Sequence, residues 1–415
     1  VSLPPAATAA LVAGFAGCLA VVVYVYFGYP LLLWLLARRH ERPVARGPVC
    51  PSLTLLVPAH NEEGVIADKV TNCLGLDYPA DRLEVLVISD GSTDGTEAEV
   101  RLQAERWAAA GRATPIRLLA LPRSGKAAAL NAGAAAATGE VLVLTDANSL
   151  LSPDALVHLV AAFADPEVGG VCGNKRYRGG RGADATELGE NLYWRYDKWQ
   201  KSLESRLGSI FAADGALYAL RGCLFVPIAD PAQADDIAVS ARVVLEGYRL
   251  VYEPRAVAWE EAPAEGTAEL RRKIRVTNHS VRALLRLGRP LWTSGFYSLE
   301  LVSHKLVRHL VPFFLLPMLA ALLALGLAPG PARAIFAPAL VAHVGFYGLA
   351  AAGFALRRRA VGRWRLLSVP YYFTLVNTAA FLGVLSVLAG RRLVAWTPRS
   401  GLATTSPPPT GGEPP

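Results

Sequence analysis

Hydrophobic and polar positions follow two different patterns along this chain. Residues 6–37 form one uncharged apolar run, and three more such runs follow residue 306. Between them, from Ser52 to about Val257, short apolar runs of seven or eight residues alternate with longer amphipathic stretches. The spacing predicts strands at 52–58, 83–89, 115–122 and 140–146, with helices over 94–110 and 126–137 as crossovers. That alternation predicts a parallel α/β sheet whose chemistry gathers at the carboxyl ends of its strands.

The apolar flanks far exceed a domain core's needs, since roughly 20 such residues span a bilayer. Residues 6–37 read as one long tilted helix, kinked at Gly28–Pro30, with Tyr24, Tyr26, Tyr29 and Trp34 near the interfaces. A cleaved signal peptide fits less well, because the run is too long and its basic flank lies on the far side. Later spans are predicted at about 307–327, 334–356 and 367–390. The formal charge of +8 is concentrated beside these runs, at 37–46, 271–275 and 357–365. Such placement marks a cytoplasmic membrane face, not a nucleic-acid partner, and sets the central domain in the cytoplasm as part of a multi-pass protein, in a bacterial inner membrane. The segment 391–399 conflicts with this: a fourth span would export its basic residues. Either it folds back at the interface or one span too many is counted.

The expected organisation is a transmembrane helix in 1–40, a soluble domain over 50–265, amphipathic interfacial helices over 266–305, three transmembrane helices over 306–392 and a disordered Pro/Gly-rich tail over 393–415. Five scattered cysteines without a CxxC pair point to a reducing compartment.

Each predicted strand ends in polar residues. The first runs through Pro58, taken as its end, into His60, Asn61, Glu62 and Glu63. The second ends at Asp90 in "SDGSTDGT" (89–96), where Asp94 also suits a helix cap. The third leads to Lys126 and Asn131 in "RSGKAAALNAG", and the fourth to Asp146 and Asn148 in "VLTDANSLL". A turn explains any one of these, whereas four along one sheet edge suggest a nucleotide site.

Together these segments resemble glycosyltransferase family 2, the GT-A fold shared by cellulose, chitin, hyaluronan and poly-N-acetylglucosamine synthases. "VPAHNEE" is similar to its VPxYNE start, "SDGSTDGT" to DDGSxD, "GKAAALNAG" to GKxxALNxG, and "TDAN" takes the DxD position with an amide for the second acid. "QADDIAVSARVVLEGYRLVYEP" (233–254) is similar to the TED segment. The resemblance implies a Rossmann-like nucleotide-sugar domain inserted between transmembrane helices, and an inverting transferase that moves a sugar from a nucleotide sugar, most readily a UDP-sugar. The acceptor would be a growing polysaccharide, a polyprenyl phosphate or another lipid. A member that binds nucleotide sugar without turnover is the reading of another class.

By the same resemblance, Asp236 is the base and Asp235 stands in place of the family's Glu. Pro58, Asn61, Glu62, Asp90, Lys126, Asn131, Asp146 and Arg275 would face the donor. Asp146 and Asn148 would hold Mg2+ or Mn2+, and Asp214 and Arg221 would face the acceptor. "RRKIRV" (271–276) departs from the polymerising members' QxxRW, keeping Arg275 but neither Gln nor Trp, which weakens the expectation of processive synthesis. The aromatic residues Tyr193, Trp194, Tyr196 and Trp199 fit helix packing better than a sugar-stacking ladder. His304, Lys305, Arg308 and His309 at the membrane entrance fit interfacial anchoring better than contact with a lipid phosphate.

Overall fold

A computed structural model describes residues 3–111, 114–178, 185–230, 233–261 and 267–393. The expected tail and most of 391–399 lie outside the described residues.

The chain enters through α1 (Pro5–Val23) and α2 (Tyr29–Ala37), joined by a π-helical turn over Tyr24–Gly28. That turn lies at the expected kink. Pro30 has no N–H for the carbonyl of Tyr26, and the Tyr196 hydroxyl donates to that oxygen at 2.7 Å instead.

The soluble domain follows as β1 (Leu53–Ala59), α3 (Glu63–Leu74), β2 (Leu83–Asp90), α4 (Thr96–Ala109), β3 (Ile116–Leu121), α5 (Lys126–Ala136) and β4 (Val141–Leu144). It continues through β5 (Leu150–Leu151), α6 (Ala155–Ala161), β6 (Val168–Arg178), α7 (Ala185–Leu207), β7 (Tyr218–Arg221), α8 (Asp235–Leu245) and β8 (Arg249–Glu261). Its eight strands run in the order β3-β2-β1-β4-β7-β6-β8-β5. The first four are parallel as expected, whereas β7 is antiparallel to both β4 and β6. The sheet is therefore mixed, and its second half was not visible in the apolar runs. Strands β1, β2 and β4 are buried along their whole length, which is why they read as continuous apolar runs. β1 continues through Pro58 to Ala59 instead of ending at the proline, because its pairing with β4 stops at Leu56 and the missing N–H leaves no ladder bond unmade there.

Beyond the sheet lie the amphipathic α9 (Thr267–Leu287), the short α10 (Pro290–Thr293) and α11 (Phe296–Glu300). A π-helical turn over Leu301–Leu306 leads into α12 (Val307–Leu327), followed by α13 (Arg333–Leu356) and α14 (Arg365–Leu388). Among the described residues, four stretches are long and apolar enough to cross a membrane: Pro5–Ala37, Phe296–Leu327, Arg333–Leu356 and Arg365–Leu388. α14 packs on α12 through Phe381 against Phe313 and on α13 through Phe373 against Phe346, and it also lies against α9. Leu375 packs with Leu270, Gly383 lies against Thr277, and Ser386 accepts from the Asn278 amide at 2.7 Å, all on α9. The backbone carbonyls of Arg391 and Leu393 then meet Asn278, Arg282 and His279. As far as it is described, the segment after α14 folds back onto α9.

A charged knot joins the spans to the sheet domain. His304 places its two ring nitrogens 2.6 Å from Glu204 and 3.1 Å from Asp197 of α7. Tyr29 of α2 donates to the same Glu204 oxygen at 2.7 Å, and Arg308 donates to Gln200 at 2.8 Å. All these side chains are buried, so removing any one strands a charge or donor away from water.

Candidate active site

The carboxyl ends of β1, β2 and β4 meet at one sheet edge. Asp90 is fully buried at the end of β2, and its carboxylate accepts the Ser124 and Gly125 N–H groups and binds Arg123. It thereby holds the turn that opens α5. Gly91, at φ +63°, must be glycine, since a Cβ there would come within 2.6 Å of the Arg123 nitrogen. Asn61 takes a left-handed conformation and accepts the Thr93 N–H at 2.8 Å, binding the first motif to the second. Glu62 is buried beside it, its N–H donating to Thr96 at 2.8 Å. Asp94 accepts the N–H groups of Thr96 and Glu63, the capping role its sequence suggested.

Lys126 starts α5 and points inward. Its ammonium lies 2.8 Å from Asp146 and 3.0 Å from Asp235, so two segments far apart in sequence share one cation. Burial disfavours that charge, but the two carboxylates outweigh it and hold the Lys126 pKa well above the lysine range. Burial raises Asp146, against the pull of Lys126. Asn148 is half-buried two residues further on.

Asp236 lies beside Asp235 at the start of α8, its carboxylate accepting the Ile237 N–H at 2.8 Å. Burial, then repulsion from Asp235, push the Asp236 carboxyl up to about 6, against an opposing contribution from Lys305. Asp214 reaches the same region from the turn before β7, paired with Lys175 at 3.2 Å. Arg275 is half-buried on α9, one turn beyond Arg272 and Lys273, which are engaged by Glu269 and Glu190.

Two expected contacts are corrected. Arg221 lies at the opposite sheet edge: β7 runs antiparallel to β4, so Arg221 pairs with Val141, at the start of that strand. Its guanidinium donates to the carbonyls of Val168, Phe163 and Asp165 and is not placed to face an acceptor. Asn131 gives both ends of its amide to the backbone of Ile228, at 3.0 and 2.8 Å, so its side chain fixes the segment after β7 instead of meeting a donor. The aromatic residues of α7 mostly pack: Tyr193 lies against Tyr372, and Trp194 beneath Lys175.

Sequence reasoning missed three groups. The buried Lys69 donates to Thr145 at 2.8 Å and to the Ser149 carbonyl, bracing the Asp146–Asn148 loop from behind. Among the described residues the buried Tyr218 hydroxyl has no hydrogen-bond partner, and burial and the Asp235 charge hold its pKa well above the usual tyrosine range. An isolated Lys or Tyr carries no pattern that would mark either one. Lys305 was noted only for its place at the membrane, whereas it lies close enough to influence Asp236.

The model of Glycosyl transferase family 2 matches residues 54–217, and that of Glycosyl transferase family group 2 matches residues 141–388, more than half of the chain. The chain belongs to glycosyltransferase family 2. It is similar to a mannosyltransferase from Pyrobaculum calidifontis solved with GDP-Man and Mn2+, at a TM-score of 0.69 and 27% identity, covering 90% of this chain and 99% of that one. It is 29% identical over 220 residues to the probable glycosyltransferase YdaM of Bacillus subtilis, covering 51% of each chain. It is 26% identical over 272 residues to poly-beta-1,6-N-acetyl-D-glucosamine synthase of Staphylococcus aureus, covering 64% of this chain and 62% of the synthase. The chain thus spans between half and two thirds of the length of these two relatives.

Proposed function

We propose that this protein transfers a sugar, with inversion, from a nucleoside-diphosphate sugar to an acceptor hydroxyl presented at the membrane face. The observation that carries this reading is the convergence of Asp146, Lys126, Asp235 and Asp236 on one sheet edge. Asp236 takes the proton of the attacking hydroxyl; the bond from the anomeric carbon to the diphosphate breaks as the new one forms. A carboxyl pushed up to about 6 is still ionised at neutral pH and is a stronger base than an ordinary aspartate.

The residues fit a divalent cation, since Asp146 and Asp235 already share the positive charge of Lys126. Among the described residues no three His, Cys, Asp or Glu side chains gather as ligands, so donor phosphates and water would complete the shell. Asp146 and the Asn148 amide oxygen would hold Mg2+ or Mn2+, which neutralises charge developing on a leaving diphosphate. Lys126 and Arg275 are the cations of this chain that would face that diphosphate.

GDP-mannose is the first donor to try, because the similar mannosyltransferase was solved with it; UDP-sugars come next. The synthase relatives favour a growing polysaccharide as acceptor, and the absence of a Trp after Arg275 favours single transfer to a lipid. Nucleotide release from protein in nanodiscs, with each donor and either metal, tests the reading, and the product is then sized. Metal-dependent release lost in Asp236→Asn supports it. Donor binding without turnover, with membrane lipids supplied, favours the non-catalytic reading.

We further infer three crossings, with the sheet domain in the cytoplasm and α14 lying along the membrane face. Contacts of α14 with α9 and the return of residues 391–393 support this arrangement, which leaves the basic segment 357–365 and Arg391–Arg392 on the positive side. A fluorescent protein fused after residue 393 should glow, and a periplasmic phosphatase fused there should be inactive. The reverse pattern would restore a fourth span.

A further inference from the structure

One helix grips the loop of the proposed metal site from behind. The Lys69 ammonium of α3 donates to the Thr145 hydroxyl at 2.8 Å and to the Ser149 carbonyl, the residues just before Asp146 and just after Asn148. One turn further along α3, the Asn72 amide donates to the Leu151 carbonyl and accepts the Leu151 N–H, both at 2.8 Å. The Thr145 hydroxyl donates in turn to the Ala216 carbonyl at 2.8 Å, and the Ser149 hydroxyl to Glu260 at 2.9 Å. Between these anchors the Ser149 N–H closes a turn onto the Asp146 carbonyl at 3.1 Å. Both ends of the loop that carries Asp146 and Asn148 are therefore held by one ammonium group.

Packing alone does not call for a lysine here. Lys69 is completely buried, and among the described residues no carboxylate lies within ion-pair distance of its ammonium. A desolvated cation without an ion pair is unfavourable, and a methionine would fill much the same space without that penalty. The charge also stands behind a site read as binding a second cation, and like charges repel. Both effects oppose a lysine at this position. What the lysine supplies is a pair of directed donors, one for each end of the loop.

We propose that Lys69 is the positioning residue of the metal site: by holding Thr145 and Ser149 it sets the separation between the Asp146 carboxylate and the Asn148 amide oxygen. Geometry matters more here than in a site with two acids. Two carboxylates attract a cation by charge even when imperfectly placed, whereas one carboxylate and a neutral oxygen depend on both reaching it together. The inference rests on Asp146 and Asn148 as the metal-binding pair.

The test is a binding measurement that needs no turnover. Mn2+ binding to the full chain in phosphatidylcholine nanodiscs is followed by electron paramagnetic resonance, with GDP or UDP present. Asp146→Asn is the reference in which the site is lost. Lys69→Met should weaken Mn2+ binding about tenfold, as the loss of an outer support does at other metal sites. Thr145→Val, which keeps Lys69 but removes one of its acceptors, should weaken it in the same direction, and this variant decides the matter if Lys69→Met does not fold. Nucleotide affinity without metal, measured calorimetrically, should be unchanged in both, which also shows that they are folded. A purely structural lysine would lower the melting temperature and leave the Mn2+ affinity of the folded protein as it was; that result overturns the proposal. So does tighter Mn2+ binding in Lys69→Met, which would mean that the lysine acts through repulsion. If Asp146→Asn binds Mn2+ as well as the unaltered chain, the metal reading itself fails and this inference falls with it. Loss in Asp146→Asn beside no change in the other two variants sinks this inference alone.

Discussion

The proposed donor edge and the proposed acceptor side of this site are built differently. At the donor edge each group follows directly from a strand: Asp90 ends β2, Lys126 opens the helix after β3, and Asp146 comes two residues after β4. Sequence spacing and spatial arrangement carry the same information there. The proposed acceptor side draws on β6, the turn before β7, the start of α8 and the π-helical turn before α12. The groups near Asp236 there, Lys175 through its pair with Asp214, Asp214 itself and Lys305, share no short motif with it. A parallel βα ladder can be read from the sequence because its geometry repeats, whereas a junction between domain and spans is specified only by packing.

Mutations at Asp236 should break the comparison most sharply. Asp236→Asn should lower transfer about a thousandfold while leaving donor affinity nearly unchanged, as measured by nucleotide release and calorimetry. Loss of donor binding would instead place Asp236 on the donor edge. Next in size is the pH profile. The base must be ionised, so kcat/KM should fall about tenfold per pH unit below about 6 and level off above it. A comparable effect, confined to the donor edge, is expected of Asn148→Asp. A second carboxylate should lower the metal concentration for half-maximal activity about tenfold without altering acceptor KM. The smallest effect on chemistry belongs to Arg221→Ala. It should cost about 2 kcal/mol of stability by freeing three carbonyls, with kcat and KM unchanged in the protein that remains folded.

Arg221 and Asn131 also show where sequence reading stops. Both are polar residues next to motif segments, and both serve the backbone. Whether Arg221 points to one sheet edge or the other depends on the direction of β7, and that direction depends on β6, which no local pattern discloses. The four parallel strands, in contrast, were legible to within one or two residues at most ends: burial on both faces leaves β1, β2 and β4 as unbroken apolar runs, and the edge strand β3, only partly buried, was marked by its aliphatic residues. Lys69 and Tyr218 were invisible for the same reason as Lys305. Their roles arise from what faces them across the fold, not from neighbours along the chain.

The knot of Tyr29, Asp197, Glu204, His304 and Arg308 has a consequence for selectivity. It ties α7 to the first and second candidate spans at once, so the sheet domain cannot rise or tilt freely. Asp236 is thereby held at a set height above the apolar helices. An acceptor anchored by its tail would present only the hydroxyl lying at that height, and the enzyme would choose among chemically similar positions as a ruler does, by distance.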